Sequence, residues 1–169
     1  MTLENIIVIR HAHAGKRDRW FADDYLRPLS HKGNLQSNKF AKKLKDIAPL
    51  LIYSSPRLRC IETVGVLSLN SSQPIVELSL LDEGGSIKKA LKFCLDKDVK
   101  TVVMCTHGDL MYQLSQHIKE KKFDKVSKLE VPKAGYWWFG ITASGHNSNI
   151  SPAVFKNNDI HRRANLKSF

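Results

Sequence analysis

Two short apolar runs in this chain, Asn5-Ile6-Ile7-Val8-Ile9 and Val102-Val103-Met104-Cys105, each lead into a histidine. The first passes through Arg10 to His11 and the second through Thr106 to His107, with Gly108 behind it. Unbroken apolar runs of this length suit strands buried on both faces, the pattern of a parallel sheet covered by helices. In open α/β folds the carboxyl ends of such strands are where ligands bind. A fixed cation and an imidazole delivered to that edge suit an anionic ligand, of which phosphate is the commonest. Two strands that each end in a histidine, with an arginine expected on each side of the pocket between them, suggest phosphoryl transfer through a phosphohistidine.

The remaining segments alternate strand-like and helix-like character. That pattern predicts βαβ units and a mostly parallel central sheet in a three-layer α/β/α sandwich, one domain over residues 1–169. Gly33 to Lys45 carries apolar and basic residues at helical spacing, and Leu50–Tyr53 reads as the second strand. Ser54-Ser55-Pro56 reads as a turn and helix start, because serine caps helices and proline suits the first turn. The helix from Arg57 is expected to reach about Ser68. Pro74–Leu78 is the third strand candidate, Ser86–Leu95 a crossover helix, Gly108 to Lys119 another, and Gly135–Ile141 the last strand. Tyr136-Trp137-Trp138-Phe139 therefore reads as core rather than as a platform for bases. The tail after Ser144, rich in Asn, Ser and Lys, is expected to be irregular. The polar stretch from Gly15 to Ser30 is too long for a tight connection, and loops of that length are commonly functional.

With 27 Lys and Arg against 16 Asp and Glu, the net charge is +11, a balance that attracts polyanions. The lysines, however, fall in helical spacings such as Lys39, Lys42, Lys43 and Lys45, and no aromatic residues alternate with them. Solvated helix faces are the reading, and nucleic acid is not an expected partner. No stretch nears the roughly 18 apolar residues of a membrane span, and the N-terminus lacks the regions of a secretory signal, so a cytoplasmic location is expected. Cys60, Cys94 and Cys105 form no metal or disulfide pattern, and Cys105 belongs to an apolar strand.

Four motifs, in order, carry a resemblance: Arg10-His11-Ala12-His13-Ala14-Gly15; Arg27-Pro28-Leu29-Ser30-x-x-Gly33; Ser54-Ser55-Pro56-x-x-Arg59-x-x-x-Thr63; and Thr106-His107-Gly108. Together they resemble the histidine phosphatase (phosphoglycerate-mutase-like) superfamily, and within it the compact SixA-type phosphohistidine phosphatases. The resemblance implies His11 as a nucleophile that becomes transiently phosphorylated. Arg10 and Arg59 would hold the phosphate oxygens, His107 would complete the cradle, and the Gly108 backbone N–H would assist. Guanidinium forks match phosphate geometry, and a neutral imidazole is nucleophilic near neutral pH. No cofactor is implied. The substrate would be a phosphorylated protein, bearing phosphohistidine, or a small phosphomonoester. Mutase activity is not expected, since the long insertions of larger mutases are missing.

Other positions are assigned less directly. In Leu81-Asp82-Glu83-Gly84-Gly85 the spacing favours Glu83 as general acid over Asp82, beside the alternative of a solvated turn. His13 is placed at the pocket rim. Arg27 either reaches substrate or braces its loop through Asp23 or Asp24. Arg57, two residues from Arg59 on a helix, is expected to face solvent. Ser30 reads as an N-cap, and His31, His117, His146 and His161 as surface residues. Two rival functions stand beside the phosphatase. One is a module that docks a phosphorylated partner without turnover. The other is a metal-dependent hydrolase built on His11, His13, His107 and Asp109, which Arg10 disfavours.

Overall fold

Strands β1 (Asn5–Arg10), β2 (Leu50–Ser54), β3 (Ile75–Glu77) and β4 (Thr101–Thr106) alternate with helices α1 (His31–Lys43), α2 (Leu58–Ser71), α3 (Ile87–Leu95) and α4 (Gly108–Glu120). The strands β5 (Tyr136–Ser144) and β6 (Asn147–Phe155) follow. The structure, a computed structural model, describes residues 3–47, 50–120, 130–144 and 147–155, with side chains through residue 141. One sheet contains all six strands in the order β3-β2-β4-β1-β5-β6. The first four are parallel, and β5 runs antiparallel to β1 and to β6.

The continuous apolar runs have the explanation expected of them. In β1, Ile6 and Val8 face one side and Ile7 and Ile9 the other; in β4, Val102 and Met104 oppose Val103 and Cys105. One side packs against α3 and α4 through Leu91, Leu110 and Leu114, and the other against α1 and α2 through Phe40, Val64 and Leu67. That is the three-layer α/β/α sandwich. Residues 136–139 are core, with Trp137 and Phe139 on one side and Tyr136 and Trp138 on the other. The three cysteines are buried, unpaired thiols. No helix of the described residues is long and apolar enough to cross a membrane.

Three expectations need correction. The tail is not irregular throughout, because β6 pairs along the whole of β5, from Tyr136 opposite Phe155 to Ser144 opposite Asn147. An edge strand can be rich in Asn and Ser and still satisfy the open hydrogen-bonding groups of its neighbour, and Pro152 is tolerable at an edge. Helix α2 takes Arg57 rather than a serine as its N-cap residue, with no side-chain cap bond. His117 is buried, because it lies three residues beyond Leu114 on the packed face of α4. His146 and His161 lie outside the described residues.

The connection from β1 to α1 holds two single-turn 3-10 segments, Arg17–Arg19 and Asp24–Leu26. It rises over the carboxyl end of the sheet. The strand order changes direction between β4 and β1, which leaves a crevice there.

Candidate active site

β1 and β4 pair in register from Asn5 opposite Thr101 to Arg10 opposite Thr106, so His11 and His107 leave the sheet side by side. Their ring centroids are 5.3 Å apart, edge to face. Three elements clamp the backbone beyond Arg10. His11 N–H donates to Thr106 O (2.8 Å) and Ala134 N–H to Arg10 O (3.1 Å). Ala12 N–H donates to Thr63 Oγ1 (2.9 Å), whose own hydroxyl donates to Arg59 O (2.6 Å). The Arg-x-x-x-Thr spacing of α2 thus ties the loop carrying His11 to the helix carrying Arg59. Gly33 has an equally local reason: a Cβ there would lie 2.1 Å from His13 O, so only glycine lets α1 pack this close to the loop.

His11 is buried, 3 % exposed as a residue. Its Nδ1 lies 2.8 Å from Ala12 O, an acceptor only, so Nδ1 carries the hydrogen and Nε2 presents its lone pair. Burial, then the Lys133 ammonium, push the imidazole pKa down to about 2, against the smaller opposing effect of the Ala12 carbonyl. His11 is therefore neutral at any pH where the protein would work. Lys133 Nζ donates to Nε2 at 3.0 Å.

Around this nitrogen the cations are positioned by backbone and carboxylates. Arg10 lies flat over Gly108, where a Cβ would stand 2.9 Å from its Nη2, and its Nη1 donates to Val131 O. Arg59 is fully buried, donates to Asp24 O (2.8 Å) and Glu83 Oε1 (2.7 Å), and leaves Nε without a partner. His107 Nε2 is 2.8 Å from Ser55 Oγ, while its buried Nδ1 lacks a hydrogen bond and stands 3.5 Å from Glu83 Oε1. Buried donors without partners are costly, and a group of them around one cavity fits an anionic ligand. The cavity measures about 530 Å³ and is lined by Arg10, His11, Arg17, Arg27, Glu83, His107, Gly108 and Lys133, with Gly15 and Asp109.

Arg57 does not face solvent. Its Nε donates to Asp82 Oδ1 (2.6 Å) and its Nη1 reaches Asp24 Oδ2 (3.0 Å) and Glu83 Oε2 (3.4 Å). The missed signal is that the extended backbone at the start of α2 turns Arg57 towards the 82–83 loop before the helical phase is set. Asp82 also accepts from Tyr25 Oη (2.7 Å) and Ser55 Oγ (3.2 Å). Burial alone would raise its pKa, but the bonds from Tyr25 and Arg57 outweigh it and hold the carboxyl at about 2. Glu83 is likewise held below the usual range: burial opposes, and Arg17 and nearby His107 and Arg57 prevail. Only Glu83 of the two lines the cavity.

Arg27 braces its loop through Asp24, not Asp23: Nε donates to Asp24 Oδ1 (2.8 Å) and Nη1 to Ala14 O (2.9 Å). Asp23 instead accepts from Tyr25 N–H. The structure does not bring His13 to the cavity. β1 ends at Arg10, so His11 and His13 do not share a strand face, and the His13 ring bonds Ser30 Oγ at 2.7 Å. Ser30 caps α1 as expected, accepting from Gly33 N–H. Among the described residues no group of three His, Cys, Asp or Glu could hold a metal ion.

Lys133 was not anticipated. Its signal was positional: the residues before a last strand that runs antiparallel to β1 must lie at the carboxyl end of β1.

Comparison with known proteins agrees with this architecture. A Mycolicibacterium smegmatis protein named 8-oxo-(d)GTP phosphatase is 30% identical over 113 residues, 64% of this chain, although the chain spans only 35% of that protein. The fold is shared with an Agrobacterium tumefaciens protein assigned as the phosphohistidine phosphatase SixA (TM-score 0.66, 20% identity, 83% of this chain and 93% of that one). It is shared too with a mycobacterial glucosyl-3-phosphoglycerate phosphatase complexed with VO3 (TM-score 0.64, 17% identity, 90% of this chain and 98% of that one). The family model for the histidine phosphatase superfamily, branch 1, matches residues 6–89, the half that contains Arg10, His11, the Arg27–Gly33 segment, Arg59 and Glu83. With its fold, its motif order and its strand-end histidines accounted for together, the chain belongs to the histidine phosphatase superfamily.

Proposed function

We propose that this chain is a phosphatase that works through a covalent phosphohistidine on His11. The observation that carries the reading is the His11 ring itself: Nδ1–H is spent on Ala12 O, and Nε2, with its lone pair towards the Lys133 ammonium, faces a cavity lined by Arg10, His107 and Lys133. Nε2 attacks phosphorus and forms an N–P bond as the bridging bond to the leaving group breaks, the electron pair departing with that group. Water then attacks phospho-His11, releasing inorganic phosphate and restoring the imidazole. Splitting the displacement in two lowers each barrier, and the guanidinium groups offset charge on the equatorial oxygens. His107 and the Gly108 N–H at the start of α4 contribute from the opposite strand.

The leaving group distinguishes substrates. Glu83 faces the cavity and Asp82 does not, so Glu83 is the carboxyl positioned to act as acid, but Arg17 and Arg59 hold it ionised. An enzyme so arranged favours leaving groups that need no proton from it. Protein phosphohistidine is one, because a ring already protonated on its other nitrogen leaves as neutral imidazole. A nucleotide phosphoanhydride is the second reading, favoured by the relative named for 8-oxo-(d)GTP and by Arg17 at the cavity mouth.

Phosphate release, with EDTA present, from a phosphohistidine peptide, a nucleoside triphosphate, an aryl phosphate and an alkyl phosphate tests this. We expect turnover that His11→Ala abolishes, an acid-labile phosphoenzyme, and alkyl esters as the poorest substrates. A folded wild-type protein inert on all four, or a His11→Ala variant that keeps its activity, would refute the reading.

A further inference from the structure

We infer that Lys133 is a phosphoryl-binding residue of this site: its ammonium stands where the phosphoryl group must arrive, shields His11 Nε2 from protons in the free enzyme, and passes to the phosphoryl oxygens when substrate binds. The inference rests on the proposed role of His11. A ring nitrogen's lone pair lies in the ring plane, and an attacked phosphorus must approach along it. A donor 3.0 Å from Nε2 occupies that approach. Displaced sideways, the same ammonium falls within reach of an equatorial oxygen.

The placement of Lys133 is built rather than incidental. The turn that bears it is fastened to the end of β1 at both edges: Ala134 N–H donates to Arg10 O (3.1 Å), Arg10 N–H to Gly135 O (2.9 Å), and Gly135 N–H to Pro132 O (2.8 Å). Ala134 adopts a left-handed conformation (φ 59°), rare for a residue with a Cβ, and such outliers gather at functional sites. The groups facing Lys133 are mostly cations. Arg10 projects from β1, Arg27 from the following loop and Arg59 from α2, and all three oppose its charge, against a smaller contrary influence of Cys60. Among the described residues no carboxylate makes an ion pair with it. Burial first, then these arginines, lower the ammonium to about 8, so it remains charged at neutral pH while lacking an anion. A phosphoryl group supplies that anion.

The test uses Lys133→Met and Lys133→Arg in the full chain, with thermal unfolding to confirm that both fold. Lys133→Met should lower kcat/KM roughly a hundredfold, the usual loss for one oxyanion donor, on every substrate alike, and Lys133→Arg should recover part of it. Independently of turnover, 15N NMR of the His11 ring should show Nε2 unprotonated down to about pH 5 in wild type, and titrating nearer its ordinary value of about 6.5 in Lys133→Met. Inorganic phosphate should bind the Met variant more weakly. Unchanged kcat/KM in a folded Lys133→Met protein, or a His11 titration that does not move, overturns the assignment. Activity that survives His11→Ala instead sinks the phosphohistidine reading, a separate result.

Discussion

The same substitution, glycine to alanine, should have opposite effects in two helices of this protein. At Gly33, the third residue of α1, the added Cβ would lie 2.1 Å from His13 O and 3.1 Å from Leu29 Cβ. Relief to an ordinary contact needs a separation of about 1 Å between α1 and the loop that carries His11. The obstacle is a backbone atom that no rotamer change can move aside. Overpacking of this kind costs about 1–3 kcal/mol, a Tm lower by roughly 2–10 °C for a chain of this length. Displacement of a reacting group by about 1 Å can cost up to about a hundredfold in rate, and the loss should fall on kcat rather than KM. At Gly65, within α2, nothing lies within 4 Å of the added Cβ. There alanine only removes backbone freedom from the unfolded chain and improves helix propensity, a gain of about 0.5–1 kcal/mol. Thermal unfolding and steady-state kinetics of both variants decide the matter. If Gly33→Ala unfolds no lower than wild type and keeps its kcat, or if both variants shift the same way, the packing explanation of the Arg-Pro-Leu-Ser-x-x-Gly motif is wrong.

Thr63→Val keeps the shape of the side chain but strips Ala12 N–H of its acceptor, leaving a buried donor unpaired; a loss of about 1–3 kcal/mol in urea unfolding is expected, with reduced kcat. His11 binds no proton in the folded state down to about pH 2, whereas the unfolded chain takes one near 6.5, so stability falls as pH drops below 6.5. By that difference the loss reaches about 2 kcal/mol at pH 5, and His11→Asn should flatten the curve between pH 6.5 and 5. Asp82 has the carboxylate sign: its depressed pKa contributes stability above about 4 that disappears as pH falls towards 2. Arg57→Ala should shrink that acid-side loss, visible as a shallower fall of the urea midpoint between pH 4 and 2.

Buried strands and the helices between them were legible because local chemistry determines them: Ile6 to Ile9 and Val102 to Cys105 are apolar on both faces and admit little else. The placement of Arg10, His11 and His107 at strand ends was legible because each lies within two residues of such a run, whereas Arg59 was reached only through the resemblance of the Ser-Pro-x-x-Arg spacing. What escaped depends on neighbours distant in the chain. Arg57 is drawn inward by Asp82, 25 residues on. The strand at 147–155 exists because β5 would otherwise expose an unpaired edge, a need invisible in its own Asn- and Ser-rich composition. Lys133 lies 122 residues from His11 and meets it only because β5 reverses direction beside β1. His13, placed at the rim by its position in the motif, turns instead to Ser30, 17 residues on, a partner its own neighbours in sequence do not reveal.

The side-by-side exit of His11 and His107 from paired strands has a consequence for how the site can change. Parallel neighbours in a sheet sit about 4.8 Å apart, and the two imidazoles, 5.3 Å apart, simply inherit that spacing. Strand pairing sets the backbone part of that separation, and the contacts of His11 Nδ1 with Ala12 O and of His107 Nε2 with Ser55 Oγ hold the rings in place upon it. The segments at 15–30 and 82–86 carry no such metric constraint. A gauge of fixed width with interchangeable jaws can be refitted to a new leaving group by altering those loops alone, while the distance across which phosphorus is held stays as the sheet dictates.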